Sequence, residues 1–326
     1  TYVGGKLLAH GTADVTLVGR PRGRDEVAAH GLCVCGLEGA GEHVAAQDVR
    51  YVTDVGELSS CDVVIVSVKS AQTREAAQAL AGVVRGDVLI VSFQNGVNNA
   101  EVLREHFAGP RVAPAIVGFN VVGRGGGVYH RGMDGALVIE DRATPLLGAL
   151  VRALEGAGLD VETMGDIAPQ QWTKLLMNLN NAVSALSGAP TQALLGEPAY
   201  RRIVAALIEE GARVLRAAGI RPAPLRGIPV RLMPAVLRLP QPLARLVLAR
   251  QMKVDPEARS SMWEDLVRRR PTEVDYLNGE IVRLAEKARV AAPLNRKVVG
   301  LIRDAEADGE GSPGLDARAL WAALRG

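Results

Sequence analysis

The sequence predicts an α/β fold: an N-terminal doubly wound parallel sheet over residues 1–166, followed by an all-α domain over 167–326. Three observations carry this. "DVTLVG" (Asp14 to Gly19), "DVVIVSV" (Asp62 to Val68) and "DVLIVSF" (Asp87 to Phe93) are short β-branched runs with little alternation, the mark of strands buried on both faces. "SAQTREAAQALAGVVRG" (Ser70 to Gly86) lies between the last two with helical spacing and a terminal glycine, giving the strand–helix–strand order of a parallel sheet. After Asp166 the strand signals almost disappear.

Taken in order, the chain opens in a helix, because Val3, Leu7 and Leu8 form a helical stripe before the first strand. A dinucleotide-binding fold places a strand and a G-x-G-x-x-G turn before this helix, so roughly a dozen further residues are expected upstream of Thr1. From Ala113 to Ile139 short β-runs broken by "GRGGG" (Gly123 to Gly127) predict hairpins added to one edge of the sheet. "TPLLGALVRALEGAG" (Thr144 to Gly158) predicts an amphipathic helix, with a short strand near Val161. Further helices are expected at about 168–186, 200–218, 261–268, 272–288 and 295–305.

A chain of 326 residues with 48% hydrophobic and 23% charged residues has ample material for two cores. The net charge of +2 and the 3% aromatic fraction argue against a nucleic-acid partner. No apolar run reaches roughly twenty uncharged residues and no charged leader precedes an apolar stretch, so a cytoplasmic, non-membrane protein is expected. Cys33, Cys35 and Cys61 make neither a disulfide framework nor a zinc pattern; they read as small buried residues in a reducing compartment, and no metal is expected.

The candidate ligand-binding residues sit at strand ends. Past the second strand of a dinucleotide fold, an acid suits the ribose hydroxyl of NAD and an arginine the extra phosphate of NADP. Here "VGRPRGR" supplies Arg20, Arg22 and Arg24 before the first acid, Asp25, so NADP is favoured with Arg20 as its partner. Arg22 and Arg24 read as a solvated loop. Lys69 and then Gln94, Asn95 and Gly96 follow the next two strands, where ligands of open α/β sheets bind.

In "QWTKLLMNLNNAVSALSG" (Gln171 to Gly188), Lys174, Asn178 and Asn181 fall on one narrow helix face while leucines cover the rest. Two readings remain open from these residues: a catalytic strip, or an interdomain helix whose amides meet loop carbonyls and whose lysine reaches solvent. All five histidines lie in the first half, which makes a buried lysine with a lowered pKa the natural proton donor for the helical half. In "SSMWEDLVRRRPTEVDYLNGEIVRLAEKA" (Ser260 to Ala288), Thr272 can cap a helix with Glu273 in its first turn.

"VSVKSAQT", "QNG", "WTKLLMN" and "SSMWEDL...RRRPTEVDYLNGEIV" together resemble the ketopantoate reductase (2-dehydropantoate 2-reductase) family across essentially the whole chain. The resemblance implies a Rossmann domain that binds NADPH, a helical substrate domain and an active site in the cleft between them. By the same resemblance Lys174 is the general acid and Glu273 the carboxylate that binds the substrate hydroxyl. Asn95, Asn178 and Ser261 contact substrate, Lys69 lies at the cofactor side of the cleft, and Arg20 receives the NADP phosphate.

The expected reaction is NADPH-dependent reduction of ketopantoate to pantoate, toward pantothenate and coenzyme A, with a small 2-keto acid as substrate. Ala182 departs from the pattern, standing where the family often has a second asparagine, with Asn181 one residue earlier. Arg226 to Lys253 reads as an insertion, an extra helical cover or an oligomer contact ahead of a membrane-surface helix, a homodimer being the assembly considered. The alternatives are a same-fold reductase of another branched 2-keto acid and a non-catalytic NADP sensor.

Overall fold

The computed structural model describes residues 1–36, 41–225, 227–248 and 259–326. The chain divides into two compact units, Thr1–Ile167 and Ala168–Gly326.

The first unit runs α1 (Tyr2–His10), β1 (Thr16–Val18), α2 (Pro21–His30), β2 (Leu32–Cys35), β3 (Glu42–Val44), β4 (Arg50–Val52), β5 (Val63–Val66), α3 (Thr73–Ala81), β6 (Leu89–Ser92) and α4 (Asn99–Arg104). It continues with β7 (Val112–Val117), β8 (Val121–Gly125), β9 (Val128–Arg131), β10 (Leu137–Glu140), α5 (Pro145–Gly156) and β11 (Val161–Met164). Its main sheet has the order β11-β10-β7-β6-β5, with β5, β6 and β7 parallel and β10 antiparallel to β7. Strand alternation sorts the side chains onto two faces. Leu89 and Val91 pack with Leu147, Leu150 and Leu154 of α5 on one face, while Ile90, Val64 and Val66 pack with Ala77 and Leu80 of α3 and Leu103 of α4 on the other. Helices therefore cover both faces, as a doubly wound sheet requires. Among the described residues β1 pairs only with β4 and β5 only with β6, so the parallel strands stand as two separate sheets.

Three expectations need correction in this unit. The β8–β9 hairpin does not extend the main sheet; it joins β2 and β3 in a second sheet of order β3-β2-β9-β8, because β9 finds its parallel partner in β2, far back in the chain. The helix expected from Ser70 starts as a 3-10 turn at Ser70–Gln72 and becomes α-helical only at Thr73. The cysteines are half-exposed rather than buried, since β2 turns Leu32 and Val34 into the core and Cys33 and Cys35 the other way.

The second unit comprises α6 (Ala168–Asn178), α7 (Asn180–Ser187), α8 (Thr191–Gly196), α9 (Pro198–Ala217), α10 (Met233–Leu237), α11 (Gln241–Leu248), α12 (Ser261–Val267), α13 (Asn278–Lys287), α14 (Pro293–Asp308) and α15 (Ala317–Arg325). The single helix expected over 168–186 is two, because Leu179 closes an i→i−3 bond to Leu176 at 3.4 Å and tightens the turn between α6 and α7. The helix expected over 272–288 also divides, into a 3-10 turn at Val274–Tyr276 and α13, with Leu277 (φ −115°, ψ −88°) as the break. A buried carboxylate organises this region. Glu210 of α9 accepts from the Leu294 and Asn295 main-chain N–H groups (3.0 and 2.8 Å) at the start of α14, satisfying donors that the helix itself cannot.

Part of the proposed insertion, Arg226 and residues 249–253, lies outside the described residues. The rest forms α10 and α11. Arg201 of α9, almost wholly buried, gathers it in: its guanidinium donates to the carbonyls of Leu237 (2.9 Å), Leu239 (3.2 Å) and Gly196 (3.0 Å) and to Gln241 Oε1 (2.6 Å). Burial lowers the pKa of this guanidinium.

Candidate active site

In the first unit the ends of β5 and β6 are locked by a buried polar network. The Gln94 amide donates to the Val68 carbonyl (2.9 Å) and to Thr73 Oγ1 (2.7 Å), and its Oε1 accepts from Ser92 Oγ (2.9 Å). Thr73 Oγ1 donates to Asn99 Oδ1 (2.8 Å), and Asn99 Nδ2 donates to the Asn95 carbonyl (2.6 Å) and Ser70 Oγ (3.1 Å). Each such group left unpaired in the interior costs about 1–3 kcal/mol, so the network fixes the two strand-end turns against each other. Gln94, expected at the cofactor, has both amide hydrogens and its oxygen engaged by the protein. Asn95 enters the network through its main-chain carbonyl. Lys69 is half-buried and precedes the 3-10 turn in extended backbone (φ −61°, ψ 149°). Ser70, Thr73 and Asn99 escaped the sequence reading; their signal was a polar residue in the turn or first helical residues after each strand.

Arg20 caps α2 immediately after β1, in extended backbone and exposed to solvent. The turn is shaped by Tyr51, the β4 partner of Leu17, whose hydroxyl lies so close that a Cβ on Gly23 would come within 2.5 Å of it. Asp25, the first carboxylate after the strand, is engaged by Arg24 through Nη2 (2.8 Å) and Nε (3.0 Å). The arginines at this strand end therefore place cationic donors at a helix N-terminus.

In the second unit Lys174 lies on α6 between buried neighbours, Thr173 and Leu175. Thr173 Oγ1 stands 3.0 Å from the Pro169 carbonyl and 2.7 Å from that of Ala223, which anchors the first turns of α6. Burial lowers the Lys174 ammonium pKa from 10.5 to about 8, and the Glu273 carboxylate opposes the fall. The structure thus brings Lys174 and Glu273 within electrostatic reach, although they are far apart in sequence. Glu273 does not lie in an α-helix; it precedes the 3-10 turn, where the Val274 N–H donates to Thr272 Oγ1 (3.2 Å).

Asn178 ends α6 and Asn181 lies in the first turn of α7, both half-buried. The polar strip drawn on one continuous helix is therefore interrupted at Leu179. Ala182 is fully buried in the core, so of these two neighbours only Asn181 presents a side chain to the outside. Ser260 was not anticipated. It caps α12 by accepting from the Trp263 N–H (3.1 Å) and donates to the Asn181 carbonyl (2.9 Å), tying α12 to α7. Ser261, the first residue of α12, is exposed beside it.

Comparison with known proteins gives this constellation a context. The family model described as Ketopantoate reductase PanE/ApbA matches residues 1–144, and that described as Ketopantoate reductase PanE/ApbA C terminal matches 166–306. The chain is 32% identical to 2-dehydropantoate 2-reductase of Halobacterium salinarum over 95% of its length and 96% of the relative's. A PanE/ApbA family ketopantoate reductase from Ralstonia eutropha superposes with a TM-score of 0.79 at 30% identity, covering 95% of each chain. D-mandelate dehydrogenase in a ternary structure with NADH and anilino(oxo)acetate shares the fold, with a TM-score of 0.76 at 19% identity over 94% of this chain and 95% of that one. With both domain models matched in order and a relative above 30% identity along nearly its whole length, the chain belongs to the ketopantoate reductase PanE/ApbA family.

Proposed function

We propose that the protein reduces 2-dehydropantoate to pantoate with NADPH, Lys174 acting as the proton donor. The observation that carries this reading is the placement of Lys174 on α6 between buried Thr173 and Leu175 and within electrostatic reach of Glu273, an environment that lowers its ammonium pKa to about 8. An ammonium with that pKa is mostly protonated at neutral pH yet acidic enough to give its proton to an alkoxide. NADPH, when bound, supplies the hydride that converts the keto carbon to an alkoxide. Lys174 neutralises that oxygen, keeps its own electron pair, and regains a proton from solvent. Glu273 accepts a hydrogen bond from the substrate hydroxyl and keeps the ammonium charged between turnovers. Asn178, Asn181 and Ser261 serve as amide and hydroxyl partners of the substrate, and the family resemblance assigns Asn95 to the same task.

Arg20 supports NADPH over NADH through a guanidinium at the strand end, the first acid after it, Asp25, being engaged by Arg24. Lys69 stands as a second cofactor-side cation. A different branched 2-keto acid is the second reading, favoured by Ala182, whose burial leaves Asn181 to do the work of the family's asparagine. A homodimer is supported by the exposed Leu243, Leu246 and Val247 of α11. The deciding experiment follows NADPH absorbance against a panel of 2-keto acids. Preference for ketopantoate supports the proposal, preference for another acid replaces the substrate, and no oxidation with any acid leaves an NADP-binding sensor. Lys174→Ala is expected to lower turnover by orders of magnitude with NADPH affinity nearly unchanged; unchanged turnover removes the lysine from the mechanism.

A further inference from the structure

The outer face of the second sheet carries a group of soft ligands that reduction of a keto acid does not use. Cys33 and Cys35 sit at i and i+2 of β2, both half-exposed, with sulfurs 3.4 Å apart. The antiparallel register sets His43 of β3 directly opposite Cys33, and its Nε2 lies 3.6 Å from Cys33 Sγ. The parallel register sets His130 of β9 beside Cys35. Its neighbour Tyr129 packs into the core together with Val34, so His130 occupies the outer face with the thiols.

We propose that Cys33, Cys35 and His43 form a binding site for a thiophilic cation of the Zn(II) type, with His130 placed for the fourth position. A tetrahedral site with metal–sulfur bonds of about 2.3 Å and metal–nitrogen bonds of about 2.0–2.1 Å has edges of about 3.8 Å between sulfurs and about 3.5 Å between sulfur and nitrogen. The observed 3.4 and 3.6 Å lie close to those edges. Among the described residues no group of three His, Cys, Asp or Glu side chains stands ready to hold a metal ion, so binding requires side-chain rotation at these positions.

Gly41, opposite Cys35 across the hairpin, keeps the space open. A Cβ there would overlap Cys33 Sγ and stand 2.8 Å from Cys35 Sγ. Glu42 offers no competition from its neighbouring position, because its carboxylate turns to Lys6 (2.6 Å) and His10 (3.2 Å). Binding replaces two thiol protons by the cation and releases them to solvent. Because the ligand thiols must lose their protons to bind, affinity rises with pH. A disulfide is the poorer use of the pair. Residues i and i+2 of a strand have Cα atoms about 6.7 Å apart, at the long limit for a bridge.

The test titrates Co(II) into the full chain after chelator and reductant treatment, reading thiolate-to-cobalt charge-transfer absorption and tetrahedral d–d bands. An equimolar endpoint is expected, with displacement by Zn(II) and a rise in thermal midpoint. Cys33→Ser and Cys35→Ser should abolish the charge-transfer band or halve it, and His43→Ala should weaken binding by at least about tenfold. Gly41→Ala should weaken binding with all three ligands retained. Cys61→Ser, a thiol distant in sequence, should change nothing. Absence of the band, its survival in the Cys33→Ser, Cys35→Ser double variant, or equal loss in Cys61→Ser overturns the site. So does recovery of a Cys33–Cys35 disulfide from protein that binds no metal when reduced.

Discussion

The pH profile of turnover tests the proposed mechanism most directly. Lowering Lys174 from 10.5 to about 8 amounts to about 3 kcal/mol against the charged form. At pH 7 roughly nine tenths of the side chains are then ammonium, and at pH 9 roughly one tenth. Keto-acid reduction at saturating NADPH should therefore be level up to about pH 8 and fall about tenfold per unit above it. Oxidation of the hydroxy acid, which needs the neutral amine, should rise through the same region. Because Glu273 raises the Lys174 pKa, Glu273→Gln should move the limb to lower pH in whatever turnover remains. Steady-state rates from about pH 6 to about pH 10 measure all three. A rate that stays level to pH 10, or a limb unmoved in Glu273→Gln, refutes the assignment of Lys174 as donor.

The same shift predicts that stability changes with pH. Below about pH 8 folded and unfolded chains both carry the proton, and the burial penalty is present in full. Between about 8 and 10.5 only the unfolded chain still binds it, so stability gains up to about 3 kcal/mol over that window, measurable by urea unfolding. Arg20→Ala should raise the KM for NADPH by at least about tenfold and leave that for NADH nearly constant, as loss of a charge-assisted phosphate contact requires. Gln94→Leu should cost about 1–3 kcal/mol by stranding Thr73 and the Val68 carbonyl, read from urea midpoints at constant m-value. Leu246→Asp should convert a dimer to monomers in light scattering; an unchanged mass excludes α11 from self-association.

The sequence exposed the elements whose cause is local. β5 and β6 are apolar on both faces because helices cover both, and their runs of Val, Ile and Leu say so directly. Lys174 was readable because a cation set among leucines on a short helix loses hydration that only a partner or a chemical role can offset. What stayed hidden depends on pairings made at a distance. Nothing near Cys33 announces that β9, almost a hundred residues later, will lie beside it. The interruption at Leu179 leaves no trace of glycine or proline, and the 3-10 turn after Glu273 is held by Thr272. Gln94 was placed correctly at a strand end, but the direction of its amide follows from Ser92, Thr73 and Val68, which only the fold assembles.

The manner in which Arg201 holds α11 bears on how the protein opens. Gln241, at the start of that helix, meets Arg201 and the Gly196 carbonyl (2.6 Å), and Ala244 is its one core residue among those described, while Leu243, Leu246 and Val247 face outward. A segment with so little apolar burial forms its own cooperative unit at the low end of the stability scale. Amide protons of α11 should exchange by local opening well before those of α9. Because a few polar contacts fasten it, loss of this stretch leaves the apolar packing of the helices beneath largely in place.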